Sequence, residues 1–272
     1  MIIVRLKGGL GNQMFEYAAG RAMALATGAR LLLDATFLND RTPRHITFRS
    51  YELGIFTIAP EFTFLSRLSF LLPIPFVWPA FSVCAEKIGA LFGRKMVYLK
   101  DYFQSEKYFS DHAGDIRNDF TFKNPLSPAA EKIAAEIAST ESVCLHVRRG
   151  DYVSDTKTAA HHGFAGDGGY YGKAIETIGE KIANPRFFVF SDDMEWCRKN
   201  LGIRPAVFVP ASADDLHLMS LCKHDIIANS SFSWWGAWLN KNPHKIVIAP
   251  KRWLRGETCD SGDIVPVSWI RI

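Results

Sequence analysis

The hydrophobic pattern of the chain alternates short apolar runs with longer amphipathic stretches, which predicts strands followed by helices. Near the N-terminus, the apolar run at 2–6 predicts a strand, residues 12–27 predict a helix, and residues 30–35 predict a second strand. The next hundred residues are rich in aromatic side chains, interrupted by proline and only weakly periodic. That stretch predicts no clear order of elements.

From Ser127 onward the alternation is regular. Ser127 is the predicted N-cap, and Pro128 the first turn, of a helix that extends to Ser139. Further strands are predicted at 142–147, 187–190, 206–209, 225–228 and 245–249, with helices at 170–182, 194–200, 214–222 and 232–239. Buried apolar strands that are each followed by a helix indicate parallel sheets with right-handed crossovers.

The pattern therefore predicts an α/β protein of two Rossmann-like halves, whose parallel sheets face a central cleft. The first half covers 1–126 and the second covers 127–255, with the boundary near Asn124–Pro128. We expect the tail, 256–272, to pack back on the N-terminal half.

Composition excludes several classes of protein. Apolar residues make up 48% of the 272 residues, which excludes a disordered chain. Lys and Arg number 32 against 28 Asp and Glu, without a basic stripe, so we expect no nucleic-acid partner. The five cysteines are widely spaced and form no C-x-x-C, which excludes a disulfide framework or zinc site and indicates a reducing cytoplasm. The first apolar run is too short for a signal peptide and fits a strand.

The segment 68–85 complicates this picture because its eighteen residues carry no charge. Pro73, Pro75 and Pro79 disfavour a spanning helix, since each removes a helical donor. Two interpretations stay open. The segment is buried core or loop, or it is an apolar surface that rests on a membrane or grips a lipid-linked acceptor.

The first candidate site is the glycine-rich turn at 7–13 (KGGLGNQ), between a predicted strand and a predicted helix. Amides at a helix N-terminus can bind an anion or a polar ligand. The turn does not match a dinucleotide fingerprint, because Met14 occupies the third glycine position, and it is no phosphate loop, because no Gly-Lys-Ser/Thr follows. The alternative is a tight strand-to-helix turn.

The second candidate is the strand end at 143–152 (VCLHVRRGDY). Strand alternation directs His146 and Arg148 to one face and Arg149 to the other. Guanidinium groups suit phosphate oxygens, and ligands of open α/β sheets bind at the carboxyl ends of the strands. The alternative is an arginine pair that serves Asp151 structurally.

The third candidate is Ser191-Asp192-Asp193, which follows the next strand. These acids could bind ribose hydroxyls, a cation or a basic side chain, or cap the following helix. No two of the sixteen aspartates are two positions apart, so the chain lacks the Asp-x-Asp pair that can hold a cation on a nucleotide-sugar diphosphate. We therefore expect protein cations to neutralise the phosphates.

The fourth candidate is 229–239 (NSSFSWWGAWL), where a Ser-rich turn with Ser230 and Ser231 enters a helix and offers hydroxyls and free amides. Phe232 and the tryptophans are interpreted mainly as core. Asp214 and Asp215 begin the preceding helix, so one could cap it and the other could accept hydrogen bonds from a base. His161, His162 and His217 are scattered along the sequence and predict no metal site.

Together these motifs resemble the bacterial-type α-1,2-fucosyltransferases of glycosyltransferase family 11. The resemblance rests on GGLGNQMFEYA at 8–18, YFQSEKYF at 102–109, HVRRGDY at 146–152, SDDMEWC at 191–197 and NSSFSWWGAWL at 229–239. The HxRRxD element alone is shared with α-1,6- and protein O-fucosyltransferases, and the combination is more specific. Residues 55–95 match weakly.

The resemblance implies a GT-B fold, GDP-L-fucose as co-substrate, no divalent metal or other cofactor, and inverting transfer to the 2-hydroxyl of a galactose residue. It implies that Arg148 holds the donor diphosphate, that His146 lies against the nucleoside, and that Asp215 binds guanine. It places Ser231 and Phe232 beside the phosphates, and Asn12 at the reaction centre. We count Arg149, Asp192, Asp193 and Ser230 among the donor-binding residues as well.

The general base is open between Asp151 and Asp155, with His161 or His162 behind them, and we take Asp151 as the catalytic candidate. The N-terminal half would take the acceptor, a galactose-containing surface glycan such as a lipid-linked O-antigen repeat. The enzyme would be cytoplasmic, with peripheral contact to the inner face of the membrane through 68–85. The alternatives are another GDP-sugar transferase of α-1,6-fucosyltransferase type, a non-catalytic nucleotide- or glycan-binding module, and a membrane scaffold resting on 68–85 alone.

Overall fold

A computed structural model describes residues 1–40, 48–71, 96–150, 169–253 and 262–272. The chain divides into two compact units, unit 1 at Met1–Asn124 and unit 2 at Pro125–Ile272. The division falls in the segment where the sequence predicts a boundary.

Unit 1 is built on a three-stranded parallel sheet in the order β2-β1-β3. Its strands are β1 (Ile2–Arg5), β2 (Leu31–Asp34) and β3 (Val97–Leu99), and its helices are α1 (Leu10–Thr27), α2 (Thr36–Asn39), α3 (Phe64–Leu71) and α4 (Ala113–Asp119). Short 3-10 turns lie at Leu53–Ile55, Glu106–Tyr108 and Ser110–His112. In the middle of the sheet, Ile3 lies opposite Leu32 on one side and Tyr98 on the other.

Helix α1 packs directly on the central strand of unit 1. A Cβ atom at Gly20 would lie 2.1 Å from a methyl of Val4, so only glycine permits this close approach. Met14, Phe15 and Ala18 of the same helix are fully buried. The small and apolar residues that predict the helix therefore also bring it onto the strand.

Unit 2 is a doubly wound sheet of six parallel strands in the order β6-β5-β4-β7-β8-β9. Its strands are β4 (Ser142–Val147), β5 (Arg186–Ser191), β6 (Ala206–Phe208), β7 (His224–Ile226), β8 (Val247–Ala249) and β9 (Ile270–Arg271). Its helices are α5 (Pro128–Ser139), α6 (Gly169–Lys181), α7 (Met194–Asn200), α8 (Asp215–Leu221) and α9 (Ser231–Leu239). The order reverses between β4 and β7, and such a switch point is where α/β sheets of this kind bind ligands.

Apolar cores cover both faces of this sheet. Val143 and Leu145 of β4 pack with Ile178 of α6 on one face, whereas Cys144 packs with Leu218 of α8 on the other. Because alternate residues of β4 serve opposite cores, the strand is apolar through nearly its whole length. The polar exceptions are Ser142 at its start and His146, the residue before its last.

Most elements that the sequence predicts are present, several with the same bounds. Ser127 caps α5 as expected, because its hydroxyl accepts a hydrogen bond from the Ala130 amide at 3.3 Å. The prediction for the tail was wrong in its described part, 262–272. There β9 pairs with β8, and Trp269 packs on Trp234 of α9, so this part of the tail belongs to unit 2. A two-residue strand carries too little periodicity to be seen in a sequence.

Candidate active site

The end of β4 carries the most concentrated positive charge of the candidate site. Arg148 and Arg149 follow the last residue of the strand, at the carboxyl edge of the sheet. The Arg148 guanidinium forms an ion pair with the Asp192 carboxylate at 2.9 Å, and about 29% of its side chain is exposed. This partial exposure leaves the guanidinium able to meet an anionic ligand.

Arg149 is held in a different way. Its Nε atom lies 3.1 Å from the Asp193 carboxylate, and its guanidinium carbon lies 4.3 Å from the centre of the Trp196 ring. Only 14% of its side chain is exposed. Strand alternation predicts that Arg148 and Arg149 diverge, and their separate partners agree with this. Arg149 serves the packing of α7, whereas Arg148 lies nearer to solvent.

The two acids after β5, Asp192 and Asp193, pair with the two arginines, and Asp193 also caps the next helix. Asp192 pairs with Arg148 and also accepts a hydrogen bond from the Arg149 backbone amide at 2.8 Å. Asp193 caps α7 by accepting from the Trp196 amide at 3.0 Å, and the cap and the Arg149 guanidinium hold its pKa below the usual range. Of the interpretations open for this pair, partnership with basic side chains and helix capping are the ones observed.

A glycine lies where the two strand ends meet, in close contact with the Asp192 carboxylate. A Cβ atom at Gly150 would lie 2.7 Å from Asp192 Oδ2, the oxygen that contacts Arg148. Any larger residue would push the carboxylate away from the guanidinium. The absence of a side chain at the third position of Arg-Arg-Gly thus leaves room for the Asp192 carboxylate.

The turn after β7 brings a helix N-terminus to the neighbouring strand end. Ser230 is the N-cap residue of α9 and is buried, while Ser231 and Phe232 in the first turn are half-buried. Asn229 donates a hydrogen bond to the Trp253 carbonyl at 3.1 Å. The first turn of α9 therefore presents hydroxyls and helix amides at the switch point between β4 and β7.

His146 lies at this same switch point. Its ring centre is 6.1 Å from that of Phe232, and its Nδ1 atom is buried without a hydrogen-bond partner among the described residues. Burial, and after it the positive charge of Arg148, lower the pKa of His146 to about 4. The imidazole is therefore neutral at physiological pH, and it has an unused polar atom that a ligand or water could satisfy.

Helix α9 is anchored at its far end by a buried acid. Asn240, the C-cap residue, donates to the Asp225 carboxylate at 2.8 Å, and the Lys245 ammonium bonds to the carbonyl oxygens of Ala237 and Asn240 at 2.6 and 2.9 Å. Burial raises the pKa of Asp225 to about 7. These contacts fix the direction in which the N-terminus of α9 points.

The two acids at the start of α8 have separate partners. Asp214 accepts a hydrogen bond from the Ser127 hydroxyl at 2.6 Å, so it joins α8 to the cap of α5. Asp215 accepts from the amide and the hydroxyl of Ser212, both at 3.0 Å, and burial raises its pKa. Asp215 is thus held within its own turn, close to the end of β6.

In unit 1, the glycine turn (Lys7–Gln13) presents Asn12. The backbone is left-handed at Gly8, with φ of 74°, and a Cβ there would lie 2.5 Å from Asn12 Nδ2. The side-chain oxygen of Asn12, Oδ1, accepts a hydrogen bond from the side-chain amide of Gln104 at 2.8 Å. This contact ties the turn to the YFQSEKYF motif, which predictions from the sequence had not connected to it.

Several backbone amides of the turn, those of Lys7, Leu10, Asn12 and Gln13, already have acceptors. Glu52 accepts from the Leu10 amide at 2.9 Å, so a carboxylate occupies the N-terminus of α1. Gln13 donates to the Gly8 carbonyl at 2.9 Å and accepts from the Glu52 amide at 2.9 Å. Of the two interpretations of the turn, the structure favours a braced strand-to-helix turn over an anion site at α1.

The structure brings together the predicted residues of unit 2 and leaves others undescribed. His146, Arg148, Arg149, Asp192, Asp193 and Ser230–Phe232 lie at the adjacent ends of β4, β5 and β7. Asp215 lies farther along the edge, and Asn12 lies in unit 1. Asp151, Asp155, His161 and His162 lie outside the described residues, as does most of 68–85.

The described residues contain neither a metal-binding cluster nor a helix that could span a membrane. No group of three or more His, Cys, Asp and Glu side chains in them is arranged to hold a metal ion. None of the helices in them combines the length and apolarity that crossing a bilayer requires.

Sequence reasoning missed the residues that brace the turn of unit 1. Gln13, Glu16 and Glu52 each bond to its backbone. A usable signal existed for two of them, because Gln13 and Glu16 are polar residues on a helix that is otherwise small and apolar. Polar residues within such a stretch are typically hydrogen-bonded when buried.

Comparison with known proteins gives a family for the chain. The family model described as "Glycosyl transferase family 11" matches residues 78–272. An Escherichia coli protein named "Alpha-1,2-colitosyltransferase" is 35% identical over 100% of this chain and 99% of its own length. The "O-antigen biosynthesis glycosyltransferase WbnK" of Escherichia coli is 32% identical, over 98% of this chain and 99% of that protein.

A mammalian relative and a solved structure extend this result. The "Galactoside 2-alpha-L-fucosyltransferase Sec1" of Mus musculus is 28% identical, over 88% of this chain and 64% of its own length. The solved fucosyltransferase NodZ from Bradyrhizobium has a TM-score of 0.50 and 16% identity, over 86% of this chain and 90% of that one. That likeness concerns the fold alone and agrees with the predicted GT-B-like class.

Proposed function

Because the chain belongs to glycosyl transferase family 11 and is therefore a glycosyltransferase, we propose that it is an inverting, metal-independent α-1,2-fucosyltransferase. It moves L-fucose from GDP-β-L-fucose to the 2-hydroxyl of a galactose residue in a glycan. The proposal draws on the motif resemblance and on the relative named a galactoside 2-alpha-L-fucosyltransferase.

The observation that carries the proposal is the set of groups at the switch point of unit 2. A partly exposed guanidinium, Arg148, lies beside a neutral buried imidazole, His146, and next to the N-terminus of α9. A guanidinium and helix amides suit a diphosphate, and an uncharged polar ring suits a nucleoside. This is the combination that a nucleoside-diphosphate sugar requires.

In the proposed reaction, the acceptor oxygen forms a bond to the anomeric carbon while the bond from that carbon to the β-phosphate oxygen breaks. The electron pair of the broken bond stays on the β-phosphate, and the acceptor proton passes to a base, for which Asp151 is the candidate. Attack on the face opposite the leaving group converts the β-linked donor into an α-linked product, which is inversion.

Arg148 supplies the electrophilic assistance in this mechanism. Negative charge grows on the β-phosphate as the nucleotide leaves, so a guanidinium placed there stabilises the transition state more than the ground state. Phosphate oxygens would join Asp192 as partners of Arg148, since a guanidinium has five N–H donors and its fork suits both kinds of acceptor. No bound cation is needed for this charge, and the sequence holds no Asp-x-Asp pair to bind one.

The remaining donor contacts follow from the positions of their side chains. Ser230 and Ser231 begin α9 and are assigned to the phosphates, together with the ring of Phe232. Asp215, raised in pKa by burial, is assigned to the guanine edge. Arg149 and Asp193 support the site through α7, because they pair with each other.

A second donor is favoured by one finding. The Escherichia coli relative at 35% identity over the whole chain is named a colitosyltransferase. Colitose is L-fucose without the 3-hydroxyl, so the two donors share the GDP group and the anomeric centre. GDP-L-colitose is therefore the alternative donor for the same site and the same α-1,2 linkage.

The acceptor belongs to the proposal as well. A galactose-containing surface glycan, carried on a lipid while the repeat is assembled, fits the O-antigen relative. An enzyme that acts on it would work in the cytoplasm at the inner face of the membrane, with unit 1 on the acceptor side. Contact with the membrane through 68–85 stays a prediction.

The test is a transfer assay with purified full-length protein, GDP-L-fucose or GDP-L-colitose, and a panel of β-galactosides, each with and without EDTA. We expect an α-1,2-linked product, identified by NMR, with EDTA leaving the rate unchanged. The preferred donor decides between the two sugars. An α-1,6 linkage, or turnover that depends on added Mg²⁺ or Mn²⁺, would overturn the proposal.

A further inference from the structure

A fully buried carboxyl group lies beneath the glycine turn of unit 1 and has no part in the proposed donor site. Glu16 is in α1, four residues after Asn12, so both side chains lie on one face of the helix. Glu16 is 0% exposed. Its Oε2 atom accepts a hydrogen bond from the Lys7 backbone amide at 2.9 Å, and its Oε1 atom is buried without a partner among the described residues.

Charged groups face Glu16 from each element packed against it. Arg5 comes from β1, Lys7 from the turn, and Asp101 and Tyr102 from the segment after β3. The Lys7 ammonium lies over the Tyr102 ring, 3.8 Å from its centre. Burial raises the pKa of Glu16 to about 9, although the Lys7 amide and the charges of Lys7 and Arg5 act in the opposite direction.

The hydrogen bond from Lys7 reaches the backbone immediately before the left-handed residue of the turn. Gly8 has φ of 74°, and the Asn12 amide nitrogen fills the space where a Gly8 side chain would lie. Glu16, Lys7, Gly8 and Asn12 therefore form one continuous set of contacts. Movement of the Lys7 backbone would move the surface against which the Asn12 amide rests.

We infer that Glu16 is a positioning residue for Asn12, because as a neutral carboxylic acid it holds the Lys7–Gly8 backbone that fixes the Asn12 amide. The effect on transfer rests on the proposed function, in which Asn12 faces the reaction centre, whereas the effect on the turn does not.

The sign of the pH dependence follows from proton binding. An unfolded glutamate has a pKa of about 4.5 and that of folded Glu16 is about 9, so between these values the folded state holds one more proton than the unfolded state. Stability contributed by this site therefore falls as pH rises through that window. A glutamine keeps the shape of the neutral acid and has no proton to lose, so it removes the dependence.

The first test is thermal unfolding of the full chain from pH 5 to 9.5, without substrate, for the wild type, Glu16→Gln and the control Glu176→Gln. Glu176 is exposed on α6, so its variant makes the same chemical change without burial. We expect the Tm of E16Q to match the wild type near pH 5 and to exceed it by several degrees at pH 8, while E176Q follows the wild type. If the Tm difference between E16Q and the wild type is constant with pH, Glu16 is not a neutral acid in the folded protein.

The second test measures the turn itself. Amide hydrogen exchange over residues 7–12 should be as slow in E16Q as in the wild type, and at least tenfold faster in Glu16→Ala. In transfer assays, E16A should lose kcat with little change in the donor KM, because the proposed donor site lies in unit 2. E16Q should keep kcat, because the glutamine oxygen can still accept the hydrogen bond from the Lys7 amide.

These readouts separate the inference from the proposed function. If no GDP-sugar is turned over, the proposed function fails, while the Tm and exchange series still decide the role of Glu16. If E16A keeps both wild-type exchange over 7–12 and wild-type kcat, Glu16 does not position the turn. At pH 7, an infrared carboxylic-acid band that is weaker in E16Q than in the wild type would support the inference, and bands of equal intensity in the two proteins would contradict it.

Discussion

The carboxyl edges of the two sheets are built in opposite ways. In unit 1, the polar side chains at this edge point back into the fold, where Gln13, Glu16 and Glu52 bond to the backbone of the glycine turn. In unit 2, the charged side chains at the edge pair with one another and stay partly exposed, as Arg148 does with Asp192.

The edge of unit 1 therefore provides a rigid turn, whereas the edge of unit 2 provides charge for a ligand. A turn whose backbone groups are bonded internally holds a side chain such as Asn12 in place but offers an anion little. An ion pair at a strand end is worth little to stability when it is exposed, yet it keeps a guanidinium oriented for a ligand. We therefore expect changes at the edge of unit 2 to act on turnover, and changes at the edge of unit 1 to act on the turn.

Arg148→Ala should have the largest effect of the variants at the edge of unit 2. Loss of one donor to a developing negative charge typically costs about 3–4 kcal/mol, so kcat should fall by about 10²–10³-fold. Arg148→Lys should stay well below the wild type, because an ammonium lacks the bidentate fork. Steady-state kinetics with the active donor measures both.

The matched control is Arg198→Ala. Arg198 is in the same unit, and its guanidinium lies over the Phe208 ring at 4.3 Å. We expect near-native kcat from R198A. If R148A behaves like R198A, the edge of unit 2 carries no catalytic charge and the contrast between the units disappears.

Asp192→Asn should lower kcat/KM for the donor by about tenfold, since a hydrogen bond to a charged group is worth about 1.5–3 kcal/mol and the asparagine oxygen replaces it in part. The variant keeps an acceptor for the Arg149 amide, so its Tm should change little. Asp193→Asn is the counterpart, and it should lower Tm more than activity because Asp193 caps α7. Equal effects of the two variants on both readouts would contradict this division of roles.

Gly150→Ala should lower kcat a few-fold, because its new Cβ would lie 2.7 Å from the Asp192 oxygen that holds Arg148. Gly114→Ala in α4 is the control, since nothing lies within 4 Å of its added Cβ. G114A should leave kcat unchanged and raise the free energy of unfolding by about 0.5–1 kcal/mol. An unaltered kcat in G150A would show that transfer does not depend on the position of the Asp192 carboxylate.

Glu52→Gln should have the smallest effect. It keeps the hydrogen bond to the Leu10 amide and removes the negative charge at the N-terminus of α1, which is worth about 0.3–1 kcal/mol. Urea unfolding should show this loss, with kcat within twofold of the wild type. The control Glu176→Gln should leave the free energy of unfolding unchanged. A large fall of kcat in E52Q would contradict the distinction between the two units.

Much of unit 2 could be predicted from the sequence, because most of its strands are apolar and its longer helices, α5 and α6, are amphipathic. Ser127 with Pro128 predicted the start of α5, and the order of polar strand ends predicted which residues would lie together. The stretch between α2 and α4 could not be predicted, since its 3-10 turns and three-residue strand lack a period. Such segments are defined by contacts distant in sequence, such as the bridge between Phe56 and Phe122.

The partners of the site residues were less predictable than their positions. Two arginines and two aspartates on neighbouring strands allow more than one pairing, and the sequence does not choose between them. The structure pairs Arg148 with Asp192 and Arg149 with Asp193. The burial of Glu16 was indicated only by its position in a mostly small and apolar helix, whereas a helical glutamate is usually exposed.

The most direct test of the central claim is chemical rescue of Arg148→Ala. The account predicts that guanidinium ions added at millimolar concentration restore part of the lost kcat, that Mg²⁺ and Mn²⁺ restore none, and that the wild type turns over at full rate in EDTA. Rescue by a divalent cation, or a wild type silenced by EDTA, would contradict the claim that Arg148 takes up the charge of the departing nucleotide.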